Sequence, residues 1–545
     1  MKEEINGMKR KILSAVSALA LALTLGLAVI SGGSVKAAGF TSAVQSCAIN
    51  GDNVVVTAAV PAGQASDDGT LYLFALPTYA AGLTGSPVAT APMGQAATFT
   101  TPLNNKQADS KLYSKFAVAV KSGGSFVQIS EAKYIANPEA VAEHSMDYPA
   151  SVSKKGLQIY PPLMSTGEIE ELGIKHSTYD IAINRLFGPT TNGAYPTINY
   201  TYNGKNYQMD GYYIKQVDGV IQALSDKGVV VTAILLNELD ADCMQTTHPM
   251  ARTKTTSPYY MMNGADQNGV DYLSAAASFL AIRYSGIGCG RVDNWVVGNE
   301  ITARSEWNYI APMDVTSYTE EYAKALRIIY TGIKSNNANA RVYISIDQTW
   351  NRNMTNGTGY DGRDVIDALS ANSIAKGNFD WGVAFHPYPV PLTWPKFWNM
   401  PSQYKSMNLV SMNENTPMIT PQNMCVVTDY MCKAQNLDSK GQVRSLIVSE
   451  VGFPSSLGED VQAAALSYAY LNAKHNQHID AFIAVRDIDY QAEINQGLPM
   501  GLKNLDGSNK AAYNVYKYID IDESVTAPYL RTIGISSWSQ VIQAR

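Results

Sequence analysis

The segment "VDNWVVGNE" at residues 292–300 is an apolar run that ends on an amide and a carboxylate. Seven other short runs rich in Val, Ile, Leu, Phe and Tyr have the same character. In chain order the eight runs are "GLQIY" at 156, "YDIAINRLF" at 179, "GVVVTAILL" at 228, "VDNWVVGNE" at 292, "RVYISID" at 341, "DWGVAFHPY" at 380, "SLIVSE" at 445 and "DAFIAVRDI" at 480. Amphipathic stretches of helical period lie between most of them, for instance "DYLSAAASFLAIRYSG" and "TEEYAKALRIIYTGIKSN". Eight strand–helix units predict an α/β fold, a parallel (β/α)₈ TIM barrel over residues 150–520.

A different pattern precedes the barrel. Between residues 40 and 138, short runs such as "NVVVTAAV", "TLYLFALP", "ATFTTPL" and "YSKFAVAV" are separated by clusters of Gly, Asp, Asn and Ser. This spacing predicts antiparallel strands, and therefore a small all-β, Ig-like sandwich domain ahead of the barrel. Residues 521–545 form a C-terminal tail for which the sequence predicts no particular structure.

The first 37 residues have a basic start, an apolar stretch over residues 12–30 and a small-residue ending at Ala37. This order predicts a signal peptide cleaved after Ala37, and a secreted protein with no membrane span after cleavage. A retained membrane anchor is the alternative, because the apolar stretch is almost long enough to cross a bilayer.

The charge balance makes nucleic acid an unsuitable partner. The chain of 545 residues has a net charge of −6, and residues 1–37 carry five Lys/Arg and two Asp/Glu, so cleavage would leave about −9. We expect a monomer.

Five cysteines allow at most two disulfides. Cys425 and Cys432, close together in a predicted loop, are the expected pair. Cys243 and Cys289 are placed at opposite ends of the barrel by the strand order, and Cys47 is expected to stay free.

Two acidic side chains stand at matching places on the predicted strands. Glu300 ends the fourth run, and Glu450, in "LIVSEVGF", ends the seventh. The carboxyl ends of barrel strands face the mouth where chemistry occurs, and strands four and seven lie nearly across the ring. Two carboxylates facing each other over a substrate are what cleavage of a glycosidic bond requires.

The arrangement resembles clan A, the superfamily of barrel-fold retaining glycoside hydrolases that includes many cellulases, mannanases and β-galactosidases. In that clan an Asn-Glu pair at the end of strand four supplies the acid/base, and a Glu at the end of strand seven supplies the nucleophile. "GNE" and "SE" stand at these places here. The resemblance covers residues 150–520 and implies that Glu300 is the acid/base, Glu450 the nucleophile, and Asn299 a donor to the sugar 2-hydroxyl.

Three further residues fit the clan. "FHPYP" after strand six provides His386 and Tyr388, and "NRLF" provides Arg185 near the end of strand two. We expect Glu450 to be held ionised near Arg185 and the Tyr388 hydroxyl, because a cation and a hydrogen-bond donor favour the charged form. Glu300 is expected to start protonated, since a neighbouring negative charge and partial burial disfavour its ionisation.

Strand eight departs from the clan. Its end is "VRDIDY", with Arg486, Asp487 and Asp489 where the clan usually has a Trp that stacks on the sugar. The resemblance then implies an unusually polar subsite, with Arg486 near the sugar, and a poorly characterised bacterial branch with this sandwich-plus-barrel layout.

A rival acid/base exists in "LLNELD", where Asn237 and Glu238 repeat the Asn-Glu dipeptide at the end of strand three. Strand three is also roughly opposite strand seven, so geometry leaves both open. The clan pattern favours Glu300 and leaves Glu238 as a substrate-contacting or structural residue.

Tryptophans after strands four, five and six support a sugar ligand, because indole packs on the C–H faces of sugar rings. Trp307, Trp350 and Trp394 are the candidates for substrate contact. Anchoring of the loops that carry them is the alternative.

No cofactor or metal is predicted. "GTGYDG" at 357–362 matches a dinucleotide pattern but begins several residues after strand five, away from a tight strand-to-helix turn. The six histidines are scattered and form no ligand cluster.

Two function classes remain. The first is a secreted retaining glycosidase that acts on a polysaccharide or oligosaccharide. The second is a non-catalytic carbohydrate-binding or cell-surface protein built on a barrel. The presence of both carboxylates favours the enzyme, while the sugar, the linkage, endo or exo action and the role of the sandwich stay open.

Overall fold

The computed structural model describes residues 40–354 and 357–545, and Thr41–Arg545 forms one compact unit. The predicted signal peptide, residues 1–37, lies outside the described residues. Within the described ranges, no helix combines the length and the apolar character needed to cross a bilayer.

Antiparallel strands build the N-terminal part. They are β1 (Ala43–Asn50), β2 (Asn53–Ala59), β3 (Thr70–Leu76), β4 (Ala89–Pro92), β5 (Ala96–Pro102), β6 (Lys115–Ser122), β7 (Ser125–Gln128) and β8 (Lys133–Tyr134). One sheet has the order β1-β2-β5, and the other has the order β4-β3-β6-β7 with β8 paired to β6. Alternate side chains of β2 are buried, as expected for a strand with one face on a core. The predicted all-β sandwich is confirmed.

Eight parallel strands close into a barrel. They are β9 (Lys155–Leu157), β10 (His176–Ala182), β13 (Val230–Leu236), β14 (Asn294–Val297), β15 (Arg341–Ile346), β16 (Trp381–Phe385), β17 (Leu446–Gly452) and β18 (Ile479–Val485). Each strand pairs with the next, and β18 pairs with β9. The TIM barrel predicted from the eight runs is confirmed; Glu300 follows its fourth strand and Glu450 lies on its seventh.

The barrel strands are apolar on both faces, because one face packs on the interior and the other on helices. All seven residues of β13 are buried. Interior side chains of the six consecutive strands β13 to β18 form one cluster inside the barrel. Its members are Ile234, Leu236, Val296, Tyr343, Ala384, Ile447 and Ala481.

Helices follow the strands, and a hairpin is inserted after β10. The hairpin is β11 (Ile198–Tyr202) and β12 (Lys205–Met209). The α-helices are α1 (Glu168–Leu172), α2 (Gly211–Asp226), α3 (Gln267–Arg283), α4 (Val315–Lys334), α5 (Gly362–Lys376), α6 (Ser402–Lys405), α7 (Cys425–Met431), α8 (Glu459–Lys474), α9 (Gln491–Ile494), α10 (Ala511–Tyr518) and α11 (Leu530–Ile533). Asp210, Asp266 and Asp314 cap α2, α3 and α4 by accepting hydrogen bonds from first-turn backbone N–H groups.

The disulfide prediction for Cys425 and Cys432 is wrong, since the thiols of all five cysteines are free. Cys425 begins α7 and Cys432 directly follows it. Seven residues of helix separate the two Cα atoms by roughly 10 Å along the axis, beyond the reach of a disulfide.

The C-terminal tail packs on α8. Tyr468 of α8 contacts the Trp538 ring, with centroids 6.2 Å apart, and the Trp538 indole N–H donates to Thr526. Arg545 forms an ion pair with Asp429. The tail therefore covers the outside of the barrel, whereas the predicted division into 40–138, 150–520 and 521–545 stays a prediction.

The sandwich is docked on the helical side of the barrel. The buried hydroxyls of Tyr113, in the loop before β6, and Tyr202, at the end of β11, lie 2.7 Å apart. The Arg327 guanidinium of α4 lies over the Tyr134 ring of β8, 4.8 Å from its centroid. These contacts leave the carboxyl ends of the barrel strands to the loops that follow them.

The Tyr113–Tyr202 hydrogen bond gives a test of this docking. Tyr113→Phe and Tyr202→Phe should each lower the free energy of unfolding by about 1–2 kcal/mol, because each leaves a buried hydroxyl short of a partner. The double variant should lose less than the sum of the two single losses. Chemical unfolding measures all three, with Tyr160→Phe, an exposed tyrosine, as the control. Strictly additive losses would contradict a direct hydroxyl pair.

Candidate active site

Glu300 lies three residues past the end of β14, in a backbone conformation that few side chains adopt. Gly298 has a φ of +80° and Glu300 a φ of +38°. The backbone N–H of Glu300 donates to the Ser345 hydroxyl of β15 at 3.0 Å, which fixes this turn to the neighbouring strand. A left-handed residue other than glycine or asparagine is uncommon and is often found at a functional site.

Glu450 lies on β17 at an irregularity of the sheet. Val448 pairs with Phe482 and Val451 pairs with Ala484, so Ser449 and Glu450 together face the single residue Ile483. An extra residue of this kind is a β-bulge, which re-aims the side chains that it carries. The Tyr388 hydroxyl donates to Glu450 Oε1 at 2.5 Å.

His386 joins the two strand ends. The ring is 1% exposed, with Nδ1 2.9 Å from Glu300 Oε1 and Nε2 3.0 Å from the Ser449 hydroxyl. Burial alone would lower the pKa of His386, but the negative charges of Glu450, Glu300 and Asp347 outweigh it and hold the pKa above its ordinary value. The three-residue segment from His386 to Tyr388 therefore contacts both carboxylates.

Asp347, directly after β15, is a third carboxylate beside Glu300. Its oxygens accept hydrogen bonds from the hydroxyls of Thr302 and Thr349 and from the backbone N–H of Thr349. Burial and the charge of Glu300 raise the pKa of Asp347 to about 7, although these hydrogen bonds oppose the rise. Asp347 therefore changes its protonation state near neutral pH, directly beside Glu300.

The expected contact between Arg185 and Glu450 is wrong. The Arg185 guanidinium instead binds Glu238 through two hydrogen bonds, Nε to Oε2 at 2.6 Å and Nη2 to Oε1 at 2.8 Å. The backbone N–H of Glu238 also donates to Asn184. Glu238 is therefore an ion-paired carboxylate at the rim.

The tryptophans differ in their accessibility. Trp350 is fully buried and its indole N–H donates to the carbonyl of Glu414, so it anchors a loop and its prediction as a sugar contact is wrong. Trp307 is half-buried and packs on Tyr259, with ring centroids 5.9 Å apart. Trp394 is also half-buried, with its indole N–H bound to the carbonyl of Asn399.

The end of strand eight contributes two of its three charged residues, Arg486 and Asp487, to the lining of the mouth. Arg486 pairs with Glu493 of α9 at 3.1 Å, while its Nε is buried without a hydrogen-bond partner among the described residues. Asp487 accepts the backbone N–H of Tyr160, and Asp489 is paired with a buried lysine. These two aspartates hold loops together.

Asn299 has a buried amide oxygen without a hydrogen-bond partner among the described residues. An unpaired buried polar atom is costly unless a ligand or water satisfies it. Its position beside Glu300 is compatible with a polar contact to substrate.

Three residues of the site were missed by the sequence reasoning. Asp180 of β10 faces the barrel interior, because it is opposite Ile234 of the interior cluster. Tyr259 adjoins Trp307, and Asp347 adjoins Glu300 electrostatically. The sequence held a signal for two of these residues. Asp180 is a charged residue inside an apolar run, and Asp347 ends the fifth run as Glu300 ends the fourth.

Two cavities open at this end of the barrel. One of about 460 Å³ is lined by Asp180, Arg185, Glu238 and Tyr259, among others. The other, of about 200 Å³, is lined by Asp180, Tyr160 and Arg486, among others. Asp180 belongs to both. Within the described residues, no group of three or more His, Cys, Asp or Glu side chains is placed to hold a metal ion.

Comparisons with solved structures give distant likenesses. A family 39 glycoside hydrolase from the gut symbiont Bacteroides cellulosilyticus WH2 is 16% identical, over 83% of this chain and 76% of that chain, with a TM-score of 0.44. A beta-glucuronidase from Ruminococcus gnavus is 10% identical, over 88% and 68% of the two chains, with a TM-score of 0.35. The beta-D-glucuronidase of Dictyoglomus thermophilum is 9% identical, over 87% and 68%, with a TM-score of 0.36.

A search of curated proteins finds no match to the sequence. Residues 147–541 match the sequence model of a family described as "Family of unknown function (DUF5722)". This match spans the barrel and most of the tail, and the chain belongs to this family.

Proposed function

We propose that the protein is a secreted glycoside hydrolase that cleaves a polysaccharide or oligosaccharide with retention of anomeric configuration. Glu450 is the nucleophile and Glu300 is the acid/base. The observation that carries the proposal is the contact of one short segment with both carboxylates, His386 with Glu300 and Tyr388 with Glu450. The basic, apolar and small-residue order of residues 1–37 supports export.

The surroundings of Glu450 suit a nucleophile. The Tyr388 hydroxyl donates to Oε1 and so holds the carboxyl group in place. In the first step a Glu450 oxygen forms a bond to the anomeric carbon of the sugar. The bond from that carbon to the leaving oxygen breaks, and the leaving oxygen takes a proton from Glu300. A covalent glycosyl-enzyme results.

The surroundings of Glu300 suit a group that gives and takes a proton. His386 contacts Oε1, while Oε2 has no hydrogen-bond partner among the described residues. Two neighbours of Glu300 hold protons near neutral pH, since the pKa of Asp347 is about 7 and that of His386 is raised. In the second step Glu300 takes a proton from water, whose oxygen attacks the anomeric carbon and releases Glu450.

Aromatic residues at the rim support a sugar ligand. Trp307 and Tyr259 form a half-buried pair, and Tyr259 lines the larger cavity. Flat apolar faces beside polar side chains are the usual composition of a carbohydrate-binding cleft.

Substitution of the two glutamates tests the mechanism. Glu450→Gln should lower kcat/KM by about 10³-fold or more on every glycoside, because no nucleophile remains. Glu300→Gln should cost about 10²–10⁴-fold on an unactivated oligosaccharide but much less on a dinitrophenyl glycoside, whose leaving group needs no proton. Glu306→Gln, an exposed carboxylate on the loop after β14, is the control.

A panel of glycans assayed for new reducing ends provides the substrate, and NMR of the first product gives its anomeric configuration. Inversion would contradict the double displacement. If Glu238→Gln abolishes turnover while Glu300→Gln preserves it, the acid/base has been assigned to the wrong strand. Glycan binding without cleavage by the wild type would favour the non-catalytic class.

The pH dependence tests the role of Asp347. With the pKa of Asp347 at about 7, kcat/KM of the wild type should fall above about pH 7, because ionised Asp347 places a negative charge beside Glu300 that opposes transfer of a proton to the leaving oxygen. Asp347→Asn should remove this alkaline limb, because the amide does not ionise. Initial rates between pH 4 and 9 measure the change. A limb that stays in place would show that it arises from a group other than Asp347.

A further inference from the structure

One carboxylate at the mouth has no part in the proposed mechanism. Asp180, on the inner face of β10, has no hydrogen bond or ion pair in the described part of the chain. Solvent reaches its side chain through the cleft, while protein surrounds the carboxylate on most sides. Asp180 lines both the 460 Å³ and the 200 Å³ cavity, so it lies where the two cavities meet.

This placement is electrostatically costly. Burial and the negative charge of Glu450 raise the pKa of Asp180 to about 6, against the opposing charges of His386 and Arg486. A carboxylate in such a setting is stabilised when donors reach its oxygens, and none comes from the described protein. Solvent water, or a ligand that replaces it in the cleft, is the remaining source.

The nearby cation Arg486 is already engaged. Its guanidinium pairs with Glu493 at 3.1 Å and lies over the Tyr490 ring, 5.1 Å from the centroid. Arg185 is likewise bound by Glu238. Both guanidinium groups that line the two cavities are therefore already paired with a carboxylate.

We infer that Asp180 is a specificity-determining residue, which accepts hydrogen bonds from the sugar bound beside Glu450 and excludes sugars that carry a carboxylate. This inference rests on the proposed hydrolase function and deepens it by naming a substrate class, sugars without an acidic group. Sugar hydroxyls satisfy the two Asp180 oxygens. The carboxylate of a uronic acid would instead meet Asp180 and Glu450 in a partly desolvated cleft, where like charges repel strongly.

The test compares nitrophenyl hexosides with the matching nitrophenyl hexuronides, pairs that differ at carbon 6 alone. The wild type should prefer the hexoside by about 10²-fold or more in kcat/KM. Asp180→Asn should lower kcat/KM on the hexoside by about 10–10²-fold, since hydrogen bonds to a charged acceptor are lost. The ratio of kcat/KM on the hexoside to kcat/KM on the hexuronide should fall by about tenfold or more, because the repelling charge has been removed.

Two further variants make the result specific. Glu306→Gln removes one negative charge from the same end of the barrel and should leave the preference unchanged. Asp180→Glu keeps the charge, and should keep the discrimination against hexuronides even where its hydrogen-bond geometry is altered. Circular dichroism and the unfolding midpoint establish that each variant is folded.

Failure of the role of Asp180 and failure of the hydrolase proposal would give different experimental results. Cleavage of hexuronides by the wild type as fast as hexosides, or an Asp180→Asn variant with unchanged kinetics, would overturn the role of Asp180 and leave the hydrolase proposal in place. A wild type that cleaves no glycoside would overturn the hydrolase proposal, and the role of Asp180 with it.

Discussion

The closure of the eight-stranded parallel ladder is the constraint on which the rest depends. Because β18 pairs with the three-residue strand β9, every strand has a neighbour on both sides, and all eight carboxyl ends are brought to one rim. Residues distant in the sequence, such as Asp180, Glu300 and Glu450, are thereby placed around a common cleft. The sandwich and the C-terminal tail pack elsewhere on the molecule.

The cleft is organised by a buried histidine among carboxylates. His386 links Glu300 to Ser449, the neighbour of Glu450 on the bulge, so the two carboxylates are tied through one ring. Negative charge around the ring favours the imidazolium, and the imidazolium in turn reduces the cost of gathering carboxylates. This reciprocity gives a physical reason for three acidic side chains to stand so close to one cation.

The periodicity of the sequence was sufficient to predict the fold. Eight apolar runs correspond to the eight strands, and the position of Glu300 and Glu450 at their ends followed from counting. The same periodicity does not predict which side chains form ion pairs or hydrogen bonds with one another. Arg185 pairs with Glu238, which lies at the end of the adjacent strand. The sequence alone does not show which of two carboxylates a flexible guanidinium group reaches. Asp180 lies inside an apolar run, and the run does not show whether such a carboxylate lines a cleft or is paired within the protein. The residues after strand five that bury Trp350 form a loop whose path depends on contacts with residue 414.

The left-handed backbone at Glu300 has a consequence for the folding stability of the whole molecule. A side chain with a β-carbon costs roughly 1–2 kcal/mol in this conformation, which glycine would adopt freely. The chain thus gives up part of its folding stability at the position to which we assign the proton transfer of the proposed reaction, so stability and reactivity compete at residue 300.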